Sequence, residues 1–416
     1  MTRTGRVALL HYTALPVVGG VEVVVGRHAT LLADAGHDVT IIAGRGGSPD
    51  PRVAFLGTTI ADTLAPRVRA ARAQLDRGRV PGDFAAMVDE ATHFLTDATA
   101  SMDVVIAHNV ASLHMNLALT AALHTISQAL SGPAIVLWHH DVAAAMAAYR
   151  DELHPGWPWD LVRTAWPGTT SVAISAARAA TYARTTGLAR DDVRVIPDGI
   201  DRAETVGLHL TTSRLIRERG VERAAPILLA PVRLNPRKNL ELAIETLAAL
   251  RVQMDGAILI VTGAFDPHDP GSRAYLGRLR SLADERGVGD AVHVVSEWVD
   301  GPPNRRLVTD LYRLADALLL PSRDEGFGLP ILEAGLHRLP VFCTDIAALR
   351  EVAGAEAVYF SPDAPPPDIA ALIRERLAND PVYRAAVRSR TAYDWRTIFD
   401  TFIDPLVASL VNRATA

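Results

Sequence analysis

Residues 317–334, ALLLPSRDEGFGLPILEA, decide the fold of this chain. The apolar run at 317–320 predicts a short buried strand. Pro330 stands where a helix would begin, because the fixed φ of proline and its missing N–H suit the first turn. The glycine-rich turn between them therefore connects a strand to a helix, which is the βα unit of an α/β protein.

The same alternation of short apolar runs and longer amphipathic stretches continues along the whole chain, which predicts parallel sheets covered on both faces. In the first half, the predicted strands are 7–11, 38–43, 53–56, 103–107, 134–138, 171–174 and 193–196. In the second half, they are 227–231, 257–262, 291–295, 317–320, 341–343 and 357–360. The predicted fold class is α/β, with two doubly wound, Rossmann-like domains.

The length of the chain also predicts two domains. It has 416 residues, more than the roughly 250 to 300 that one hydrophobic core serves. The boundary is predicted after the segment IPDGID at 196–201, where proline and glycine end a strand, with a hinge in 197–225. The predicted domains are 1–200 and 201–394, with the final stretch, 395–416, packing back onto the first.

The composition excludes several classes of protein. Hydrophobic residues make up 49% of the chain and charged residues 21%, as in folded globular proteins. The net charge is −5 without blocks of like charge, which argues against a nucleic-acid partner. Cys343 is the single cysteine, which excludes an internal disulfide and a cysteine-built zinc site. With no apolar run near ~18 residues and no signal peptide visible, we expect a cytoplasmic protein without a transmembrane segment.

One loop, 231–239, carries two cations after a predicted strand. Ligands of open α/β sheets bind beyond the carboxyl ends of the strands. Arg233 stands at the strand end, and Lys238, the single lysine among 42 basic residues, stands at the start of the next helix. Two cations beside the positive end of a helix dipole predict a pocket for a diphosphate. The alternative is that both cations only bond to backbone carbonyls or face water.

The loop that follows strand 317–320 carries Glu325, and Glu333 follows about one turn into the helix. Backbone N–H groups at such a helix start face an anion. They belong to Gly326, Phe327, Gly328 and Leu329. Glu333 can accept hydrogen bonds from two vicinal hydroxyls, such as those of ribose, and Glu325 can reach hydroxyls on the group attached to the phosphates. A hydrolytic carboxylate pair is the alternative, which requires a defined separation across a cleft.

Two glycines follow the first predicted strand. Gly19 and Gly20 open a helix there, so that the backbone can approach a ligand closely. A plain tight turn is the alternative for this pair.

Histidines follow two other strands of the first half. His139, His140 and Asp141 come after strand 134–138, where a histidine can hydrogen-bond a substrate hydroxyl. Adjacent residues at an extended strand end point apart, which argues against a zinc site. His108 and Asn109, after strand 103–107, are predicted to offer polar groups to an acceptor, together with Asp141.

Taken together, these motifs resemble the retaining glycosyltransferases of the GT-B fold, family 4 (group 1), whose two domains face each other across a cleft. The resemblance covers nearly the whole chain, from the paired glycines to the spacing of the two glutamates. It departs at Asp198, where asparagine is usual. His139 and His140 leave open which of them fills the family's histidine role, and the pairing with Asp141 favours His140.

The resemblance implies a hexosyltransferase that moves a sugar from a UDP-, GDP- or ADP-linked donor to an acceptor hydroxyl with retention of configuration. It implies no cofactor and no metal ion. Arg233 and Lys238 would neutralise the departing diphosphate, Glu333 would hold the ribose, and Glu325 with the loop amides would hold the donor sugar. Gly19 and Gly20 would approach the diphosphate or the acceptor, and Val299 would lie beside the nucleobase. The residues expected to be catalytic are His139, His140, Arg233, Lys238 and Glu325.

The growth of negative charge on the leaving diphosphate favours attack from the leaving-group face, with a diphosphate oxygen taking the acceptor proton. A covalent glycosyl-enzyme is the alternative mechanism. A non-catalytic protein of the same fold that binds a sugar or a nucleotide sugar is the alternative function. A pyridoxal-phosphate phosphorylase needs a Schiff-base lysine, for which Lys238 is the single candidate, and the GxGxxG spacing of a dehydrogenase is missing.

The acceptor is predicted to be a small soluble molecule in preference to a lipid. The arginine-rich stretch 61–80 predicts a solvated helix face, with an interfacial helix and peripheral membrane contact as the alternative. The sequence makes no prediction of oligomeric state.

Overall fold

The computed structural model describes residues 4–129, 131–265 and 271–414. The chain divides into two compact units. Unit 1 comprises Met1–Gly199 and Trp395–Ala416, and unit 2 comprises Ile200–Asp394.

Unit 1 is built on a parallel sheet of seven strands. These are β1 Arg6–Leu10, β2 Asp38–Ala43, β3 Ala54–Gly57, β4 Val104–His108, β5 Ala134–His139, β6 Thr170–Ala173 and β7 Val193–Val195. Their order in the sheet is β3-β2-β1-β4-β5-β6-β7. In the centre, Val7 of β1 pairs with Val39 on one side and Val104 on the other. The strand order therefore reverses between β1 and β4.

Unit 2 is built on a parallel sheet of six strands. These are β8 Ile227–Ala230, β9 Ile258–Val261, β10 Val292–Val294, β11 Ala317–Leu320, β12 Val341–Thr344 and β13 Val358–Phe360. Their order is β10-β9-β8-β11-β12-β13. The reversal lies between β8 and β11, where Leu228 pairs with Ala317. In such sheets, ligands bind beside the loops that leave the carboxyl ends of the two strands at the reversal.

Helices connect the strands and cover both sheets. The α-helices are α1 Gly20–Asp34, α2 Pro66–Leu75, α3 Phe84–Thr99, α4 Leu117–Ser127, α5 Ala176–Thr186, α6 Arg202–Thr205, α7 Leu210–Glu218, α8 Leu240–Arg251, α9 Ser272–Glu285, α10 Arg305–Leu314, α11 Leu329–Leu336, α12 Ala347–Ala353, α13 Pro366–Ala378, α14 Pro381–Ala392, α15 Trp395–Ile398 and α16 Asp404–Ala414. A π-helix, Phe399–Ile403, joins the last two. Short 3₁₀ helices occupy Ala143–Ala145, Ala147–Glu152, Trp159–Val162, Arg190–Asp192, Val221–Arg223, Pro236–Lys238, Gly289–Ala291 and Val295–Glu297.

The predicted α/β class with two doubly wound sheets is confirmed. Each predicted strand is present, and no end differs by more than one residue. The central strands, such as β8, β9 and β11, are fully buried continuous apolar runs, which makes them easy to locate in the sequence. β4 and β5 each end one residue later than predicted, on His108 and His139, because these residues still pair with the neighbouring strands at Trp138 and Ala173.

The last segment of the chain completes the core of unit 1. The residues of α15, the π-helix and α16 that pack against β1, β2 and β4 are Ile398, Phe399, Ile403, Leu406, Val407, Leu410 and Val411. Gly199 ends the first pass through unit 1, and a Cβ there would lie 2.5 Å from the ring of Trp395. A larger residue at 199 would therefore displace the start of this segment.

Candidate functional site

In unit 2, the two loops at the strand reversal are bonded to each other. We call residues 231–239, after β8, the cation loop, and residues 321–328, after β11, the glycine loop. The backbone N–H of Arg323 donates to the carbonyl of Arg237 over 2.8 Å. Asn239 ends the cation loop with a φ of 53° and donates through its side chain to the carbonyl of Pro362. These contacts fix the position of Lys238, which is buried between them.

Lys238 and Glu325 form an ion pair across the two loops. The Lys238 ammonium lies 2.6 Å from Oε2 of Glu325, and both side chains are only 10% exposed. The hydroxyl of Ser322 donates to the other carboxylate oxygen over 2.7 Å. Both oxygens of Glu325 are thus bonded, and the structure brings together two residues that the sequence singled out separately.

The glycine loop leads into α11 through a left-handed residue. Gly328 is the N-cap of α11 with a φ of 97°, and a Cβ there would lie 2.7 Å from Leu349. Glycine is required at this turn, since other residues disfavour both the conformation and the contact. The first N–H groups of a helix have no acceptor within the helix, so this start is suited to bind an anion. The adjacent side chains of Phe327 and Leu329 are exposed.

Glu333 lies in α11, as predicted, and is held by Tyr312 of α10. The Tyr312 hydroxyl donates to Oε2 of Glu333 over 2.7 Å. Burial, followed by the bond to Glu333, raises the pKa of Tyr312, so the hydroxyl keeps its proton. The Tyr312 ring stacks on His337 with an angle of 12° between the planes. One carboxylate oxygen of Glu333 is therefore oriented by a buried tyrosine.

The structure does not place the other predicted donor residues in this ion pair. Arg233 is exposed just beyond β8. Val299 is half-buried against the core of unit 2, beyond β10. Gly326 lies in the glycine loop, next to Glu325.

In unit 1, the loop after β1 is closed by an acidic side chain. Gly19 is the N-cap of α1, and Gly20 is its first residue. A Cβ on Gly19 would collide with the carboxylate of Glu22, which also accepts from the hydroxyl of Thr13. The ring of His11 lies 3.8 Å from the same carboxylate. The near neighbour of Gly19 is thus the carboxylate of Glu22, the far end of a flexible side chain.

A chain of side chains connects the loop after β4 with the loop after β5. Nδ1 of His108 lies 3.1 Å from Nε2 of His140. Nδ1 of His140 lies 3.6 Å from the carboxylate of Asp198. The side-chain oxygen of Asn109 accepts from the backbone N–H groups of His140 and Asp141. His140 is thereby fixed in backbone and in ring.

The structure separates the two adjacent histidines. His139 is fully buried, and its ring stacks on Tyr182 with the centroids 3.7 Å apart. Burial, with a smaller effect of His140, lowers the pKa of His139 to about 3. A fully enclosed ring does not reach a substrate, which argues against the predicted catalytic role of His139, while the role of His140 stays a prediction. Asp141 is partly exposed and pairs with Arg178 at 3.5 Å.

Histidines His11, His28 and His108, close to His140, are also buried. His28 of α1 packs edge-on against the rings of Trp138 and Trp395, and both of its ring nitrogens are without a hydrogen-bond partner among the described residues. Burial lowers the pKa of His28 to about 3 and that of His11 to about 4. Burial also lowers the pKa of His108 well below its usual value. These rings are therefore neutral at pH 7.

One group in unit 1 has the spacing of a metal site. The ligand atoms of Asp76, His114 and Glu152 lie within 4.8 Å of one another. Arg72 lies 3.5 Å from each of the two carboxylates, and His114 lies 2.6 Å from Glu152. Because the guanidinium already offsets the acidic charge, we describe this group as an ion-pair network.

Family models match both units. The model for Glycosyltransferase Family 4 matches residues 18–204, and the model for Glycosyl transferases group 1 matches residues 213–392. The chain belongs to the group 1 glycosyltransferases. Its two doubly wound units are those of the GT-B fold that the sequence predicted for this family.

Named relatives of this group 1 chain act on different molecules. A D-inositol 3-phosphate glycosyltransferase of Geodermatophilus obscurus is 29% identical over 230 residues, which cover 53% of this chain and 48% of that protein. The mannosyltransferase WbdA of Escherichia coli is 45% identical over 71 residues, which cover 17% of this chain and 9% of WbdA. The chain thus spans about half the length, or less, of these two proteins. An MMP alpha-(1->4)-mannosyltransferase of Mycolicibacterium hassiacum is 26% identical over 384 residues, which cover 84% of this chain and 84% of that protein.

A solved glycosyltransferase from Rickettsia africae ESF-5 is 15% identical to the group 1 chain, with a TM-score of 0.39 and coverage of 98% of this chain and 99% of that one. Within residues 4–129, 131–265 and 271–414, no helix has the length and apolar composition of a membrane span.

Sequence reasoning missed the residues that support the predicted ones. Tyr312, Ser322 and Glu22 each hydrogen-bond within a candidate site. Ser322 stands three residues before Glu325, and Glu22 stands in the first turn after the paired glycines, so proximity could have indicated both. Tyr312 stands 21 residues before Glu333, and only the packing of α10 beside α11 brings them together.

Proposed function

We propose that this chain is a retaining hexosyltransferase that moves a hexosyl group from a nucleotide sugar to an acceptor hydroxyl. The observation that carries the proposal is Lys238, a buried ammonium at the strand reversal of unit 2, beside the glycine loop and the start of α11. A buried cation next to free helix N–H groups suits a diphosphate.

The donor is proposed to bind in unit 2 through three sets of contacts. Lys238 and Arg233 meet the diphosphate, and the amides of the glycine loop add hydrogen bonds. Glu333, oriented by Tyr312, accepts from the ribose hydroxyls. Glu325 accepts from hydroxyls of the hexose, and Val299 lies beside the nucleobase. We infer a UDP-, GDP- or ADP-linked donor, and the mannosyltransferase names of two relatives support a hexose.

The charge that develops on the leaving diphosphate carries the reaction. When the bond from the anomeric carbon to the diphosphate oxygen breaks, Lys238, Arg233 and the loop amides stabilise the growing negative charge. The acceptor oxygen attacks from the same face, and its proton passes to the departing oxygen, so configuration is retained. These protein groups supply the positive charge that the step needs, so the proposed step uses no metal ion.

The acceptor is proposed to bind at the strand reversal of unit 1. His140 is held by His108 and Asp198, and Asn109 fixes its backbone, so its position is well defined. We infer a small soluble acceptor rich in hydroxyl groups, which the inositol phosphate in the name of one relative supports. The protein is proposed to act in the cytoplasm.

A donor screen tests the proposal. Calorimetric titration of the full chain with UDP, GDP and ADP identifies the nucleotide, and UDP-glucose, GDP-mannose and ADP-glucose are then incubated with inositol phosphate, glucose and glycerol as acceptors. We expect binding of one nucleotide and its release from the matching donor, with the anomeric configuration retained in NMR spectra. If a nucleotide binds but no donor is consumed with any of the acceptors, the result would favour the non-catalytic alternative.

Removing the hydroxyl of Tyr312 tests the ribose contact. We expect Tyr312→Phe to weaken binding of the preferred nucleoside diphosphate about tenfold, because a hydrogen bond to a charged group is lost. Binding of its 2′,3′-dideoxy analogue should not change, as measured by titration calorimetry. Tyr275→Phe is the matched control, since Tyr275 also donates to a glutamate, Glu241, at 2.6 Å in unit 2. Equal losses for both nucleotides would show that Tyr312 has only a structural role.

A further inference from the structure

In the ion pair, Glu325 occupies the Lys238 ammonium that is proposed to bind the diphosphate of the donor. The carboxylate and the diphosphate therefore compete for Lys238. The same ammonium that is proposed to bind the diphosphate lies 2.6 Å from Oε2 of Glu325. A phosphate oxygen bonded to that ammonium comes close to the carboxylate. Like charges repel strongly in a site where the side chains are 10% exposed, because little water screens them.

Glu325 is not free to move away from this position. Ser322 donates to its second carboxylate oxygen over 2.7 Å, and Ser322 is fully buried. The carbonyl of Ser322 accepts in turn from the hydroxyl of Thr344 in β12. The carboxylate is therefore anchored to the sheet on the side opposite Lys238, and it stays beside any anion that Lys238 binds.

An intact donor and a free nucleoside diphosphate differ at this carboxylate. The hexose of the donor brings hydroxyls that donate to Glu325 and offset its charge. The nucleoside diphosphate left after transfer has no such donors, and once it loses to solvent the proton taken from the acceptor it carries one more negative charge. Only the intact donor therefore offers hydrogen bonds to Glu325 that offset its repulsion with the diphosphate bound to Lys238.

We propose that Glu325 distinguishes donor from product: it tolerates the diphosphate on Lys238 while the hexose is attached, and it recaptures Lys238 and weakens binding of the nucleoside diphosphate once the hexose has left. This inference rests on the proposed function, and it adds a role in product release to the site. It assigns to one carboxylate both sugar binding and product expulsion.

Glu325→Gln is the decisive variant, since glutamine keeps the shape and the bond to Ser322 but removes the charge. We expect it to bind the preferred nucleoside diphosphate about tenfold more tightly than the wild type, measured by calorimetry with UDP, GDP and ADP. Affinity for the matching nucleotide sugar should stay equal or fall, because the amide is a weaker acceptor for the hexose hydroxyls. In steady-state transfer, the inhibition constant of the nucleoside diphosphate should fall by a similar factor.

Asp324→Asn is the matched control. It removes the same charge one residue earlier, where the carboxylate is exposed and 3.5 Å from Arg237. We expect less than a twofold change in affinity. Thermal unfolding of each variant establishes that it is folded, and Ser322→Ala, which frees the carboxylate without removing it, should tighten product binding by a smaller factor.

The outcomes separate the inference from the function on which it rests. If the wild type binds none of the three nucleoside diphosphates, the proposed function fails. If the wild type binds one of them and folded Glu325→Gln binds it equally or more weakly, the proposed function stands and the inference is overturned.

Discussion

We expect Lys238→Ala to lower kcat/KM for the nucleotide sugar about a thousandfold. Removing one preplaced group that stabilises developing charge typically costs on the order of a hundred to a thousandfold. Here the loss is at the upper end, because the substitution also leaves Glu325 as an unpaired carboxylate beside the diphosphate. Lys238→Arg should not restore the rate, since a planar guanidinium does not replace a compact ammonium in this buried position.

Arg237→Ala is the control for this variant. Arg237 is the neighbouring cation, but its side chain is half exposed and faces Asp324 at 3.5 Å. We expect a change of less than threefold. A loss below tenfold for Lys238→Ala, or an equal loss for Arg237→Ala, would contradict the role of Lys238.

Lowering the pH from 7.5 to 5.0 should strongly destabilise unit 1. The pKa values of His11, His28 and His139 are lowered by burial to about 4, 3 and 3. In the unfolded chain, the pKa of histidine is about 6.5, so below that value the unfolded state binds more protons. Stability is therefore complete above pH 6.5 and is lost as the pH falls towards 4. At pH 5.0 each ring costs about 2 kcal/mol, or roughly 6 kcal/mol together.

Urea unfolding followed by circular dichroism at both pH values measures this loss. His28→Leu should remove about 2 kcal/mol of the difference, because it replaces a ring without polar partners among aromatic neighbours. His93→Gln is the control, since His93 is exposed on α3, and it should leave the difference unchanged. A free energy of unfolding that is the same at pH 7.5 and 5.0 would show that these rings do not govern acid stability.

The sequence predicted the parts of the molecule that are local in the chain. The central strands were predictable because they are continuous apolar runs buried on both faces, as in β8, β9 and β11. Lys238 and Glu325 were predictable as residues of unusual loops after strands. Their ion pair follows from the adjacency of β8 and β11, which are about 90 residues apart and whose pairing the sequence alone did not give.

Other features depend on packing between distant elements. The sequence favoured His140 over His139 through its neighbour Asp141, but in the structure Asp141 pairs with Arg178. The two histidines are instead distinguished by the stacking of His139 on Tyr182. The contact of His140 with Asp198 joins two loops, and that of Tyr312 with Glu333 joins two helices.

A crystal structure of the full chain with the nucleoside diphosphate selected by calorimetry tests the central claim most directly. We predict that a diphosphate oxygen lies within hydrogen-bond distance of the Lys238 ammonium and that the ribose hydroxyls bond to Glu333. Nucleotide bound elsewhere, with both of these side chains free of contact to it, would contradict the account.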